Sequence, residues 1–277
     1  MDMLSAIHQR FSVRSYRDEP VEPALRSRLL DAAFRAPTLT DVPPRIELIS
    51  GGESIKQVLT FMIGSYGLVQ NAPHLLAGIL PEEGELARID LGYVLEHVVL
   101  EATRLGLGTC WITGTFDAER AGDVLDLDPG ETAGAVCALG YPTEEGFGRL
   151  HTKLIRRMAA GHQRKPLTEL VHAHRWGESW TAENTDPALV TILKHARLAP
   201  SAHNGQPWRF IVRSDGILLA IVKPRFVDSG IVMSHISIAA AAADYAGTWS
   251  VSLRDPDLAR KTNLPDNAIP IGIFHTD

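Results

Sequence analysis

The chain has 277 residues, is 45% hydrophobic and 22% charged, and carries a formal net charge of −6. That length suits one large domain or two small ones, and the composition is that of an ordinary globular protein. The acidic balance argues against nucleic acid as the main partner, no run of about 18 apolar residues is present to span a membrane, and no secretory signal is visible. A soluble, cytoplasmic protein is expected.

In chain order, residues 4–9 start a short helix and a polar, arginine-rich turn follows over 10–19. Leu25, Leu29, Ala32, Ala33 and Ala36 recur at helical spacing over 22–36, and Pro37 stops that helix. Residues 46–49 are short and branched before Gly51-Gly52, which suits a strand. A helix broken near 64–67 is predicted over 54–70, then a buried strand over 74–80. The longest helical pattern, 90–105, is apolar on more than one face and is expected between layers. Gly106-Leu107-Gly108 follows a helix rather than a strand, so it reads as a helix C-cap and not as a dinucleotide fingerprint. A strand over 110–112, a helix over 118–125 and a strand over 134–139 come next. The polar, basic stretch 142–161 then leads to a helix over 186–198, strands over 210–212 and 217–222, and an Ala/Ser-rich helix over 229–246. No element is predicted beyond residue 246.

Two parts of this chain read as one segment written twice. Pro23-Ala24-Leu25 leads through a helix to Ala36-Pro37-Thr38 and Pro43-Pro44, and Pro187-Ala188-Leu189 leads through another to Ala199-Pro200-Ser201 and Gln206-Pro207. Asp90-x-Gly92-x4-His97 matches Asp228-x-Gly230-x4-His235 at identical spacing. The order of the matches points to duplication, with a first half over 1–160 and an abbreviated second half over 161–277. The expected class is α+β: an internally duplicated pseudo-dimer with long central helices packed between sheets. The first copy's extra segment, containing Tyr66, is a candidate lid or pocket wall.

Two polar clusters could carry chemistry. Arg10-Phe11-Ser12-Val13-Arg14 places two guanidiniums and a hydroxyl within five residues, a donor set suited to a phosphate dianion; a solvated basic turn is the alternative. Pro200-Ser201-Ala202-His203-Asn204-Gly205-Gln206-Pro207-Trp208 offers amides able to read a heterocycle edge or a ribityl chain, or is an ordinary turn. Cys110 and Cys137 lie in apolar runs without partners at metal-ligand spacing; they read as buried thiols, and no metal is expected. His97 and His235 read as core or interface histidines. Glu82-Glu83-x-Glu85 reads as a solvated turn.

Arg10-Phe11-Ser12-Val13-Arg14-Ser15-Tyr16 with Pro20-Val21 resembles the opening motif of the nitroreductase family of FMN-dependent oxidoreductases. Ala199-Pro200-Ser201-x-x-Asn204-x-Gln206-Pro207-Trp208-x-Phe210 is similar to the family's second signature. Asp90-x-Gly92, Gly106-x-Gly108-Thr109-Cys110-Trp111, Gly140-Tyr141-Pro142 and Arg164-Lys165-Pro166-Leu167 resemble its central and closing segments, and the likeness is strongest to a subgroup with two fused halves. The first copy lacks the second signature, holding Pro37-Thr38-Leu39-Thr40-Asp41, while the second holds Arg175-Trp176-Gly177-Glu178 in place of the arginine turn.

The resemblance therefore implies one FMN per chain, completed by the intact turn of each copy, because Asp41 and Glu178 would repel a phosphate in a second site. It assigns Arg10, Ser12 and Arg164 to the phosphate and Arg14 to the phosphate or the pyrimidine edge. Pro200, Ser201 and Asn204 fall to the isoalloxazine or ribityl chain, and the backbone at Thr113-Gly114 to flavin N5. Gln206 and Trp208 are expected to shape the turn, and the basic family residue is replaced by His162. No catalytic side chain is expected. The implied activity is hydride transfer from NAD(P)H through the flavin to a small organic substrate such as a nitroaromatic or quinone, on a monomer that mimics a homodimer. The alternatives are a flavin-dependent dehydrogenase or dehalogenase, and a flavin-binding or redox-sensing protein with little turnover.

Overall fold

The computed structural model describes residues 1–59, 69–114, 116–143 and 163–276. They fall into two compact units, Met1–His162 and Gln163–Asp277.

In the first unit, α1 (Met3–Gln9) is capped by Asp2, whose carboxylate accepts the Ser5 N–H at 2.7 Å. Pro23 opens α2 (Pro23–Arg35), which has no side-chain N-cap. Then follow β1 (Arg45–Ser50), α3 (Gly52–Val58), β2 (His74–Leu80), α4 (Glu85–Arg104), β3 (Gly108–Ile112), α5 (Ala118–Leu125) and β4 (Thr132–Gly140). The strands form an antiparallel sheet in the order β1-β2-β4-β3. β2 is buried along its whole length because both faces of the sheet are covered. Leu75, Ala77 and Ile79 point into a cluster with Ile55 and Val58 of α3 and Ala121 and Leu125 of α5. Leu76 and Leu80 join Leu29 of α2 and Leu91, Leu95 and Val98 of α4 on the other face.

Glycine at two strand positions lets α4 sit close to the sheet. A Cβ at Gly78 or Gly134 would come within 2.2 or 2.6 Å of the Leu91 side chain. α4 ends in a Schellman motif, as the Gly106 reading expects. Gly106 has φ +77°, its N–H donates to Thr103 at 3.0 Å, and the Leu107 N–H donates to Ala102 at 2.9 Å.

The second unit contains α6 (Leu167–Leu170), β5 (Val171–Ala173), α7 (Pro187–Ala196), β6 (Trp208–Arg213), β7 (Gly216–Ile221), α8 (Phe226–Ala242), β8 (Gly247–Val251), α9 (Pro256–Lys261) and β9 (Ile269–Thr276). Its sheet runs β5-β6-β7-β9-β8, with β5 parallel to β6 and the rest antiparallel. Apart from β5, this is the strand order of the first unit: first, second, fourth, third. A bulge interrupts β2 against β4 and, at the matching place, β7 against β9. α2 packs on α4, and α7 packs on α8.

Several boundaries differ from the sequence reading. α4 begins at Glu85, five residues before the predicted start, so Glu85 is helical rather than part of a turn. α3 ends at Val58, and Gln70 bridges Ser15 in an extended conformation rather than closing a helix. Tyr66, His162 and most of the 142–161 linker lie outside the described residues. The helix predicted over 229–246 stops at Ala242. Asp244 takes φ 51° there, and the Tyr245 N–H closes on Ala240 at 2.9 Å, the same helix ending as in α4 with aspartate in place of glycine. The second unit is also not abbreviated in its sheet, since β8, α9 and β9 supply elements where none were predicted. No described helix is long and apolar enough to cross a membrane.

Candidate functional site

The arginine turn is fastened to the first unit through its backbone, which leaves its side chains for other work. The Val13 N–H donates to the Thr109 carbonyl at 2.8 Å, and Ser12 bridges Thr109 at the start of β3. The Gln70 N–H donates to the Arg14 carbonyl at 2.8 Å, and the Tyr16 N–H returns a bond to Gln70 at 3.1 Å. Tyr16 is buried, and its hydroxyl donates to the Val13 carbonyl at 2.8 Å.

Burial pushes the Cys110 thiol up, and the charges of Arg14 and Arg10 and the Ser12 hydroxyl act on it in the opposite direction. Cys137 is buried beside it and raised well above the ordinary thiol range, first by burial and then by Cys110. Both cysteines are therefore core thiols held protonated at neutral pH, as read from the sequence.

The guanidiniums are the unusual feature. Arg10 Nε and Nη1 and Arg14 Nε are buried and have no hydrogen-bond partner among the described residues. A buried donor left unpaired costs about 1–3 kcal/mol, more when charged, and three such atoms lie within this one turn. Just past the end of β3, Thr113 is half-buried and Gly114 exposed. A Cβ built at Gly114 would meet nothing within 4 Å, so local packing does not demand the glycine.

The second unit builds the 201–206 turn. His203, Asn204 and Gln206 take φ of 55°, 52° and 47°, a left-handed conformation that costs a non-glycine residue about 1–2 kcal/mol, least for asparagine. No residue of the matching 37–45 segment in the first unit does so. A dense network holds the strain. Ser201 Oγ accepts the Gln206 N–H at 3.0 Å, and Gln206 Oε1 accepts the Lys165 N–H at 2.9 Å. Gln206 Nε2 donates to the carbonyls of Gln163 at 3.1 Å and Asn204 at 3.2 Å. Arg164 donates to Asn204 Oδ1 and, at 2.8 Å, to the Leu198 carbonyl. Asn204 Nδ2 donates to Gln163 at 2.9 Å.

Gln206 and Trp208 are buried and shape the turn, as expected from the sequence. The structure places Arg164 in this turn's support, bonded to Asn204, and shows Pro200 buried with Ser201 and Asn204 half-buried.

Two buried carboxylates had no role in the sequence reading. Asp90 on α4 accepts the Leu39 N–H at 2.8 Å and the Thr40 hydroxyl at 2.5 Å. Asp228 on α8 accepts the Ala202 N–H at 3.2 Å from each carboxylate oxygen. Leu39 and Ala202 each stand two residues after the proline that ends the preceding helix, so the repeated Asp-x-Gly spacing was the available signal. His235 is fully buried and its Nδ1 donates to the His195 carbonyl at 3.2 Å, while His97 Nδ1 donates to Tyr93 at 2.8 Å.

A separate cavity of about 710 Å³ lies in the first unit against Asp18, Glu19, Arg26, Lys56, Ser50 and His74. The buried His74 accepts the Val21 N–H on Nε2 at 3.0 Å, so its proton lies on Nδ1, facing Ser50 Oγ at 2.7 Å. Burial, then the Arg26 charge, lowers the His74 pKa below 6.5. Its stabilising contribution is therefore fully present above pH about 6.5 and is lost as pH falls through the lower folded value. Thermal unfolding of the wild type and His74→Gln should show it: the stability difference between them shrinks from pH 7 to pH 5. A pH-independent difference would remove this linkage.

The sheets and the helices packed on them make this an α+β protein of nitroreductase-like fold. A family model described as "Putative TM nitroreductase" matches residues 2–240, and the chain belongs to that family. A "NADH dehydrogenase" of Thermus thermophilus is 28% identical, the match covering 53% of this chain and 90% of that protein. A "Putative NADH dehydrogenase/NAD(P)H nitroreductase" of Methanothermobacter thermautotrophicus is 30% identical over 52% of this chain and 79% of its own. The crystal structure of a "putative nitroreductase" of Thermotoga maritima shares the fold at a TM-score of 0.58, with 20% identity, 90% of this chain covered and 89% of the other.

Proposed function

We propose that this chain is an FMN-dependent oxidoreductase that takes hydride from NAD(P)H and delivers it to a small organic acceptor such as a nitroaromatic or quinone. The observation that carries the reading is the set of buried, unpartnered N–H groups of Arg10 and Arg14. They fit a phosphate monoester by charge-assisted hydrogen bonds. The names of the two curated relatives support a nicotinamide donor.

Arg10, Ser12 and Arg14 are the proposed phosphate residues, with Arg14 also suited to the pyrimidine edge. Arg164 joins them in the proposal; it also orients Asn204. Pro200, Ser201 and Asn204 are proposed to contact the isoalloxazine or ribityl chain, and the Thr113-Gly114 backbone to face N5. When bound, FMN supplies the hydride acceptor and donor; the protein supplies position and charge, and no side chain is assigned as an acid or base. Arg14 would favour negative charge on the reduced ring.

The second part of the proposal is that two nitroreductase-like halves are fused, giving one FMN per chain on a monomer. The shared strand order, the matching bulges and the paired Asp90 and Asp228 support it. The test is reconstitution with FMN, desalting, and measurement of flavin absorbance against independently determined protein, followed by steady-state NADH and NADPH oxidation with a quinone or nitroaromatic. One FMN per chain and acceptor-dependent turnover are expected. Two per chain would overturn the single site, tight flavin without turnover would favour a binding protein, and no flavin would overturn the reading.

A further inference from the structure

Besides the network described above, the strained 201–206 turn is tied to α8 through Asp228. Asp228 lies in the first turn of α8 and is almost wholly buried. Both of its oxygens stand at equal distance from the Ala202 N–H, directly before the left-handed His203 and Asn204. Asp90 makes the equivalent bond to Leu39, yet the segment it holds has no left-handed residue. A carboxylate at this position is therefore compatible with a relaxed segment, and in the second unit it anchors a strained one.

We propose that Asp228 is a positioning residue that, in its ionised form, holds the 201–206 turn in the conformation that receives the flavin. The proposal deepens the FMN reading above and rests on it. An ionised carboxylate accepts an N–H bond roughly twice as strongly as a neutral carbonyl group does. Burial lifts the Asp228 carboxyl to about 6, while the Ala202 N–H and the Arg225 charge pull the other way. Arg225 stands at the head of the same helix. Ionisable groups on neighbouring elements are His203 in the turn, Arg164 bonded to Asn204, Lys194 and His195 in the last turn of α7 with Arg197 at its C-cap, and His235 further along α8.

The folded value lies above the ordinary carboxylate value, so the stabilising contribution of this group is fully present below pH about 4 and is lost as pH rises through 6. Ionised Asp228 thus positions the turn while costing the fold stability. Asp228→Asn keeps an acceptor for Ala202 without the charge. At pH 8 it should melt no lower than wild type yet bind FMN about fivefold more weakly.

FMN phosphate itself titrates near pH 6, so the quantity to read is the ratio of variant to wild-type Kd rather than either alone. That ratio should fall from about fivefold at pH 8 to near one below pH 5. Asp90→Asn, which touches the other segment, should leave FMN affinity within about twofold.

The Ala202 amide provides a readout free of flavin. Its nitrogen and proton shifts should titrate near pH 6 in apo wild type and not in Asp228→Asn. A flat Ala202 titration in wild type, or a Kd ratio of one at every pH, would overturn the clamp. Failure of wild type to bind FMN would overturn the flavin reading instead, and the amide titration would still decide the role of Asp228.

Discussion

Arg10→Ala should cost the protein its flavin without costing it its fold. Arg10 Nε and Nη1 are buried without partners among the described residues, so truncation removes an uncompensated burial rather than a stabilising bond. The turn's backbone should stay in place, because it is held by Thr109, Gln70 and the Tyr16 hydroxyl and not by the guanidinium. The melting temperature of apo Arg10→Ala should therefore equal or exceed that of apo wild type. FMN affinity should drop about 30-fold or more, the usual consequence of removing one partner from a buried charge-assisted contact. The rise in melting temperature produced by saturating FMN should shrink accordingly. Flavin fluorescence titration and thermal scans with and without FMN check both halves. A variant that melts early in the apo state would show that Arg10 is structural, and unaltered affinity would remove it from the phosphate site.

Trp208→Ala should do the reverse and strongly destabilise the fold. Trp208 is fully buried at the first position of β6, directly after the 201–206 turn. Removing a buried indole typically costs about 3–5 kcal/mol, against a whole-domain stability of about 5–15 kcal/mol. Denaturant midpoints should fall steeply, and the 201–206 turn should lose its footing. Trp208→Phe separates packing from polarity. Trp208 Nε1 is buried with no partner among the described residues, so phenylalanine deletes an unpaired donor while keeping most of the ring contacts. Its midpoint should lie much closer to wild type than that of Trp208→Ala. Equal losses in the two variants would mean that the indole nitrogen has a partner.

The long helices and inner strands were legible because their patterns are dense and local. The continuous apolar run over 75–80 and the apolar pattern over 90–105 each report burial on more than one face, and Gly106 announces a helix end by its own conformational freedom. The elements after residue 246 carried no such signal. β8 alternates half-buried and exposed positions at a sheet edge, and α9 is a six-residue helix that buries only Leu258. The overlong reading of α8 came from the alanine and serine run. Nothing in that composition says that Asp244 accepts a left-handed conformation to end the helix.

For the site, the arginine turn and the 201–206 turn were visible as residue types. The carboxylates that tie each turn segment to its helix were visible only as a repeat. Each accepts a backbone N–H more than 25 positions away in sequence, and backbone donors leave no mark on side-chain composition. The support of Asn204 by Arg164 was hidden because it depends on how 163–165 crosses the turn.

The placement of a single proton on His74 settles a question of reactivity. A serine hydroxyl 2.7 Å from an imidazole nitrogen is the geometry by which hydrolase nucleophiles are recognised. In such a pair the ring nitrogen must offer a lone pair to the alcohol. Here the lone pair on Nε2 is committed to the Val21 N–H, and Nδ1 presents its hydrogen to Ser50. The imidazole cannot draw off the alcohol's proton without first surrendering its bond to the main chain, so Ser50 stays as unreactive as a free alcohol. The pair is a brace between the end of β1, the start of β2 and the chain entering α2.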